Sequence, residues 1–133
     1  MALYGEMILR VWDVEHGACA MLHHQINGVA GRLAMIDSGD TSDWSPSTFI
    51  KNSLGRNQLD YLFITNADQD HMSDLQGLWD EGIKVKTLTR NPHPPADELR
   101  KIKAAGGLSS DIERFLHIHA TYNQPVTEPF NEY

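Results

Sequence analysis

The chain predicts a mixed α/β (α+β) domain, and three observations carry that expectation. Apolar runs of strand length come first, the spacing then changes to a helical period, and helices and strands alternate from there on. Met7 to Val14 and Ala18 to His24 are two such runs joined by Glu15-His16-Gly17, a plausible hairpin. Arg32 to Ile36 is a third, preceded by the turn-prone Asn27-Gly28 and ended by Asp37-Ser38-Gly39. Ser45-Pro46 then supplies an N-cap and first-turn pair. Phe49, Ile50 and Leu54 share one helical face, and Gly55 closes the helix. Tyr61 to Thr65 reads as a buried strand, Leu75, Leu78 and Trp79 as a short amphipathic helix stopping at Gly82, and Lys84 to Leu88 as another strand. Beyond the Pro92-His93-Pro94-Pro95 breaker, Ala96 to Ala105 is helical and ends at Gly106-Gly107. Ser110 and Glu113 form a capping box for a last helix with Ile112, Phe115 and Leu116 on one side. From Asn123 onward, Pro125 and Pro129 predict an irregular tail.

Length and composition bound the function. With 133 residues the chain makes one domain at most, and 41% hydrophobic with 22% charged residues is an ordinary globular balance. No apolar stretch has membrane-spanning length and no signal peptide is evident, so no membrane role is expected. The single cysteine, Cys19, excludes an internal disulfide and a cysteine-rich zinc site and suits a reducing cytoplasm. A net charge of −7 argues against a broad basic nucleic-acid surface, though not against a phosphodiester held by metal ions. Gly28, Gly31 and Gly106-Gly107 lack the spacing of a phosphate loop, and neither a Gly-x-Ser-x-Gly elbow nor a Cys-x-x-Cys pair occurs. Arg100, Lys101 and Lys103, balanced by Asp97 and Glu98, read as a solvated helix face.

The chemistry concentrates in Thr65-Asn66-Ala67-Asp68-Gln69-Asp70-His71. A strand that ends this way delivers Asn66, Asp68, Asp70 and His71 into one short loop. Alternation points Asn66, Asp68 and Asp70 the same way, with His71 following at the turn. Oxygen ligands and an imidazole crowded together are poorly satisfied unless a cation or strong donors sit among them. The four residues are therefore candidate metal ligands.

Three blocks resemble the opening of a metallo-β-lactamase-fold hydrolase, closest in flavour to the hydrolase domain of the ComEC competence proteins. They are Val11-Trp12-Asp13-Val14-Glu15-His16-Gly17-Ala18, then Met35-Ile36-Asp37-Ser38-Gly39, then Leu59 through His71. The resemblance lies within residues 7 to 90. It implies a four-layer αββα sandwich with a metal site at the sheet edge, present here largely as its N-terminal half. Residues 1–122 would form that half, followed by the tail 123–133. Carried over, Asn66 and Asp68 fall on a first metal and Asp70 and His71 on a second, one or two divalent ions in all. Zinc is the expected metal, with Mn²⁺ or Mg²⁺ favoured at the first position because Asn66 stands where the family has histidine. Asp70 and Asp37 are the candidate catalytic residues. The implied activity is hydrolysis, directed to a phosphodiester or nucleic-acid-like substrate. A catalytically degenerate interaction subunit is the alternative.

A half-sandwich would leave one apolar sheet face bare, to be covered by a second chain or by dimerisation. Simpler roles stand beside these. Taken alone, the loop reads as an acidic turn that caps the next helix through Ser73 or Asp74. The strand before it, with the two upstream blocks, favours the metal reading. Asp37 reads equally as a turn closing a strand. His16 and His93 read as solvated, and His23 and His24 as surface residues facing opposite sides. His117 and His119 read as residues that cannot share one metal. Cys19 and the three tryptophans read as packing residues.

Overall fold

A computed structural model describes residues 4–121. Five strands form one sheet in the order of the chain: β1 (Gly5–Val11), β2 (Ala20–Ile26), β3 (Val29–Ile36), β4 (Gln58–Ile64) and β5 (Lys84–Arg90). β1, β2 and β3 run antiparallel, whereas β3, β4 and β5 run parallel. The change follows from the connections. Asn27-Gly28 is a tight turn with both residues at positive φ, which suits a two-residue hairpin. The later connections are long enough to carry helices across the sheet, as parallel pairing requires. The mixed α/β expectation therefore holds. The tail from residue 123 lies outside the described residues.

The helices are α1 (Pro46–Thr48, continued by a π-helical turn at Phe49–Ser53), α2 (Leu75–Asp80), α3 (Ala96–Ala104) and α4 (Ser110–Thr121). Ser45 caps α1 as its sequence announces, its hydroxyl accepting from Thr48 N, with Pro46 in the first turn. Leu54 N donates to Phe49 O in the π turn, and Gly55 ends the segment at φ 63°. The capping box expected at Ser110 and Glu113 does not form, and the cap sits one residue earlier. Ser109 is the cap, accepting Ile112 N on its hydroxyl and Glu113 N on its carbonyl, and Glu113 instead binds Arg100 through both oxygens.

All these helices pack on one face of the sheet. Met21, Leu33, Met35, Leu62 and Leu88 of the strands join Ile50, Met72, Leu75, Leu99 and Phe115 in one core. Burying a side chain of this size stabilises by about 1.5–3 kcal/mol, so this layer supplies most of the driving force. The opposite face has no cover among the described residues. Pairing aligns Val11, Ala20, Ile36 and Phe63 in one row across four strands, and Leu9, Leu22, Ala34 and Tyr61 in the next. Met7, Leu9 and Val11 are 59%, 62% and 71% exposed there.

The first hairpin departs from expectation. β1 and β2 stop at Val11 and Ala20, so residues 12–19 form a longer loop than Glu15-His16-Gly17 alone. Trp12 leaves the strand to stack on Trp44 at 4.6 Å and meets Phe49 edge-on at 4.8 Å, while Val14 enters the core. Trp12 N still donates to Cys19 O at 3.1 Å, so backbone pairing runs one bond beyond the strands before the loop opens. Two further expectations are corrected. Trp79 is 60% exposed and stacks under the Arg114 guanidinium at 4.0 Å, so it is no core residue. His23 is buried against the helical layer, not superficial.

Candidate functional site

β3 and β4 are parallel neighbours, so their carboxyl ends lie side by side, where ligands gather in α/β sheets. Asp37 follows β3 and Thr65 follows β4. Asp37 N donates to Phe63 O at 2.7 Å, which extends the ladder by one bond. The residue then adopts φ 57°, a left-handed conformation that costs an aspartate about 1–2 kcal/mol and is kept only where surroundings enforce it.

Asp37 is fully buried and its carboxylate is saturated with donors. Oδ1 accepts Thr65 N at 2.8 Å, while Oδ2 accepts the Thr65 hydroxyl at 2.5 Å and His71 Nδ1 at 3.0 Å. The Asp37 hydrogen bond is the chief cause that holds His71 above the usual imidazole range, partly opposed by burial. It also fixes the tautomer. With Nδ1–H given to the carboxylate, Nε2 is the ring atom left to bind a ligand, which is how metal-binding histidines are oriented.

The backbone locks this end of the loop from below. Ser38 N donates to His71 O at 2.8 Å, and Asp74 N donates to Ser38 O at 2.9 Å. From above, Gly17 and Gly39 press on Asp70. A Cβ on Gly17 would stand 1.9 Å from the Asp70 carbonyl oxygen, and one on Gly39 would stand 2.9 Å from it. The glycines of the first two motif blocks thus form a cradle for the third, which explains why the blocks occur together.

Asp74 does not cap α2. Its Oδ2 accepts Ser47 N at 2.7 Å, and so caps α1 from across the fold. Burial raises its carboxyl to about 6, offset in part by Ser47. The cap of α2 comes from α4, where Asp111 Oδ1 accepts Gln76 N at 2.9 Å.

The other end of the loop is built differently. Asn66 and Asp68 are exposed, and Gln69–His71 forms a 3₁₀ turn. The turn breaks the alternation expected to bring Asp68 and Asp70 to one side. Asp68 is bound by Lys103 of α3, Nζ to Oδ1 at 2.8 Å. That bond, and the ammonium charge with it, holds the Asp68 carboxyl below the usual carboxylate range, with a smaller contribution from the Asn66 side chain. Lys103 is therefore no solvated lysine. Among the described residues, no group of three or more His, Cys, Asp or Glu side chains could hold a metal ion. Judged on its donors, His71 offers Nε2 to a ligand, whereas the Asp68 carboxylate is already occupied by Lys103.

The remaining candidates lie elsewhere. His16 and His93 are exposed, as expected. His119 is buried, stacks on Phe115, accepts from Arg90 Nε on Nδ1 at 3.1 Å and donates to Pro94 O from Nε2 at 2.9 Å. Both its nitrogens serve the fold. Cys19 is buried, and burial pushes its thiol up to about 12. Beside the loop a cavity of about 230 Å³ is lined by Thr65, Asn66, Arg90, Asn91, His93 and Phe115 among others. Sequence reading missed Lys103 and Asp111, because each reaches the loop across 35 residues or more of chain and no local pattern marks such a contact.

Comparison with known proteins returned no match to a family model, a curated protein or a solved structure.

Proposed function

We propose that the chain is the N-terminal half of a metallo-β-lactamase-like αββα hydrolase, acting in the cytoplasm on a phosphodiester or nucleic-acid-like substrate. The observation that carries this reading is the buried Asp37 carboxylate holding His71 Nδ1 at 3.0 Å. A strained, buried aspartate that ties Thr65 of one strand end to the His71 imidazole is costly as mere structure and useful at a site. Asp70, pinned between Gly17 and Gly39, and His71 would hold a divalent ion, zinc by preference. Such an ion supplies Lewis acidity at a phosphoryl or carbonyl oxygen. The protein's own part is to present Nε2 in one tautomer. The cavity of about 230 Å³ lies at the Thr65–Asn66 end of the same loop.

The second sheet of the sandwich is assigned to a second copy of this chain. The bare face carries Met7, Leu9 and Val11, each more than half exposed. Contiguous exposed apolar side chains of this kind mark interaction surfaces. The Val11 and Leu9 rows contain no charged residue, so the face is self-complementary despite the net charge of −7. Light scattering should show a dimer, and Leu9→Lys a monomer. A monomeric wild-type protein would give the second sheet to a different chain.

One observation favours a second reading. Asp68 paired with Lys103 is what a catalytically degenerate interaction subunit would show. Metal content separates the two. Elemental mass spectrometry should find bound zinc, manganese or iron in the wild type and none in the Asp70→Ala, His71→Ala double variant. A wild type that neither carries metal nor is stabilised by added metal would leave the interaction role.

A further inference from the structure

Where the resembled family places its first metal ion, this chain places an ammonium group. Lys103 Nζ lies 2.8 Å from Asp68 Oδ1. A divalent ion at that carboxylate would have to displace the ammonium and then sit beside a like charge. The lysine is not a loose side chain on a free helix. α3 is anchored by buried Leu99, and Arg100 grips Glu113 of α4 through both carboxylate oxygens at 2.7 and 2.8 Å. α4 in turn holds the loop itself: Asp111 accepts from Gln69 Nε2 at 3.1 Å, and the Ser109 hydroxyl donates to Gln69 Oε1. The helical pair is thus fastened to the residue next to Asp68, in the position that delivers Lys103.

We propose that Lys103 is the resident cation of the Asn66–Asp68 half of the loop, so that this half takes no divalent ion and the chain binds at most one, at Asp70 and His71. The proposal rests on the metal reading above for the ion at His71, and stands without it for Asp68.

The test is Mn²⁺ titration with free Mn²⁺ followed by electron paramagnetic resonance. Lys103→Met and Lys103→Arg are made in the wild type and in the Asp70→Ala, His71→Ala background. In that background the only loop oxygens left from the proposed ligand set are those of Asn66 and Asp68. Lys103→Met should tighten Mn²⁺ binding there by about fivefold or more, the effect of removing one unit charge a few Å from the ion. Lys103→Arg, which keeps the charge, should not. Equal affinity with and without Lys103, or two tight ions in the wild type, would overturn the proposal. A tightening in the double-variant background from a wild type that binds no ion would keep Lys103's role and remove the ion from His71. A wild-type ion lost in the double variant, with no response to Lys103→Met, would do the reverse. Methionine keeps the length and apolar stem of the partly buried Lys103 side chain, so circular dichroism should show an unchanged fold.

Discussion

His71 and Asp68 belong to the same short loop, yet one is held by the core and the other by the surface. His71 leans on a fully buried carboxylate, a strained backbone and two glycine cradles, all contributed by other strand ends. Asp68 is half exposed and meets one lysine from a helix. A hydrogen bond to a buried charge contributes about 1.5–3 kcal/mol, whereas an exposed ion pair contributes about 0–1. The lesson is that the loop has one pre-formed end and one adjustable end. Only the first can position a ligand atom before the ligand arrives.

The largest expected effect comes from breaking the rigid end. Asp37→Ala leaves Thr65 N and His71 Nδ1 without their acceptor and keeps a residue at φ 57°. Denaturant unfolding should show a loss of about 3 kcal/mol. Asp37→Asn should be milder and should lower the His71 pKa toward 6.5 in an NMR titration, since the Asp37 bond is the main cause of its rise. The sign is fixed by linkage. A histidine raised in the folded state stabilises fully below pH 6.5 and less as pH climbs through its folded value. A His71 titration unmoved by Asp37→Asn would mean that the two ends of the loop do not differ in the way described.

Gly17→Ala tests the cradle and ranks next. The new Cβ would stand 1.9 Å from the Asp70 carbonyl, and φ is 92°. A loss of about 2 kcal/mol is expected, with shifted His71 resonances, because the loop must give way. A Gly28→Ala control has an equally positive φ but nothing within 4 Å of its Cβ, so it should leave His71 alone.

How much of this could be read from the chain alone depends on the range of each interaction. The strands, the Ser45-Pro46 cap and the helical stretches follow from periodicity and capping chemistry within a few residues. The bare sheet face is expected only through the resemblance to half of a sandwich, because the alternation of Met7, Leu9 and Val11 with Glu6, Ile8 and Arg10 would by itself bury the face that is exposed. Asp37 is marked as a site residue only by the resemblance, and locally reads as a residue closing a strand, because its partners Thr65 and His71 come from another strand end. The contacts of Lys103, Asp111 and His119 depend on how α3 and α4 settle on the sheet. His23 shows the limit from the other side. Alternation correctly gives it the face opposite His24, but the charge of its type suggests solvent, and only the helical layer shows which face is covered.

Asp74 sharpens the comparison through pH. It is 6% exposed and its carboxyl is raised to about 6, so between pH 4 and 6 the folded protein binds more protons than the unfolded chain. Its contribution is therefore complete below pH 4 and is lost as pH rises through 6. Asp74→Asn keeps an acceptor for Ser47 N and removes the buried charge. Stability at pH 7.5 should rise by about 1–2 kcal/mol relative to the wild type, and the difference should vanish near pH 4. Unfolding midpoints at the two pH values decide it. A variant less stable at both would show that the Ser47 bonds depend on the carboxylate charge.

The smallest effect is expected at the other end of the loop. Asp68→Ala removes a side chain that is 55% exposed and paired only at the surface, so solvent screening leaves less than about 0.5 kcal/mol. The fold should stay within error of the wild type, and His71 should titrate only slightly lower, since Asp68 is the least of the causes that raise it. A large loss would mean that Lys103 and Asp68 clamp α3 onto the sheet, and the adjustable end would then be structural. A small one, set against the loss at Asp37, would measure directly how unequal two neighbouring carboxylates become when one sits at a strand end and the other on a turn.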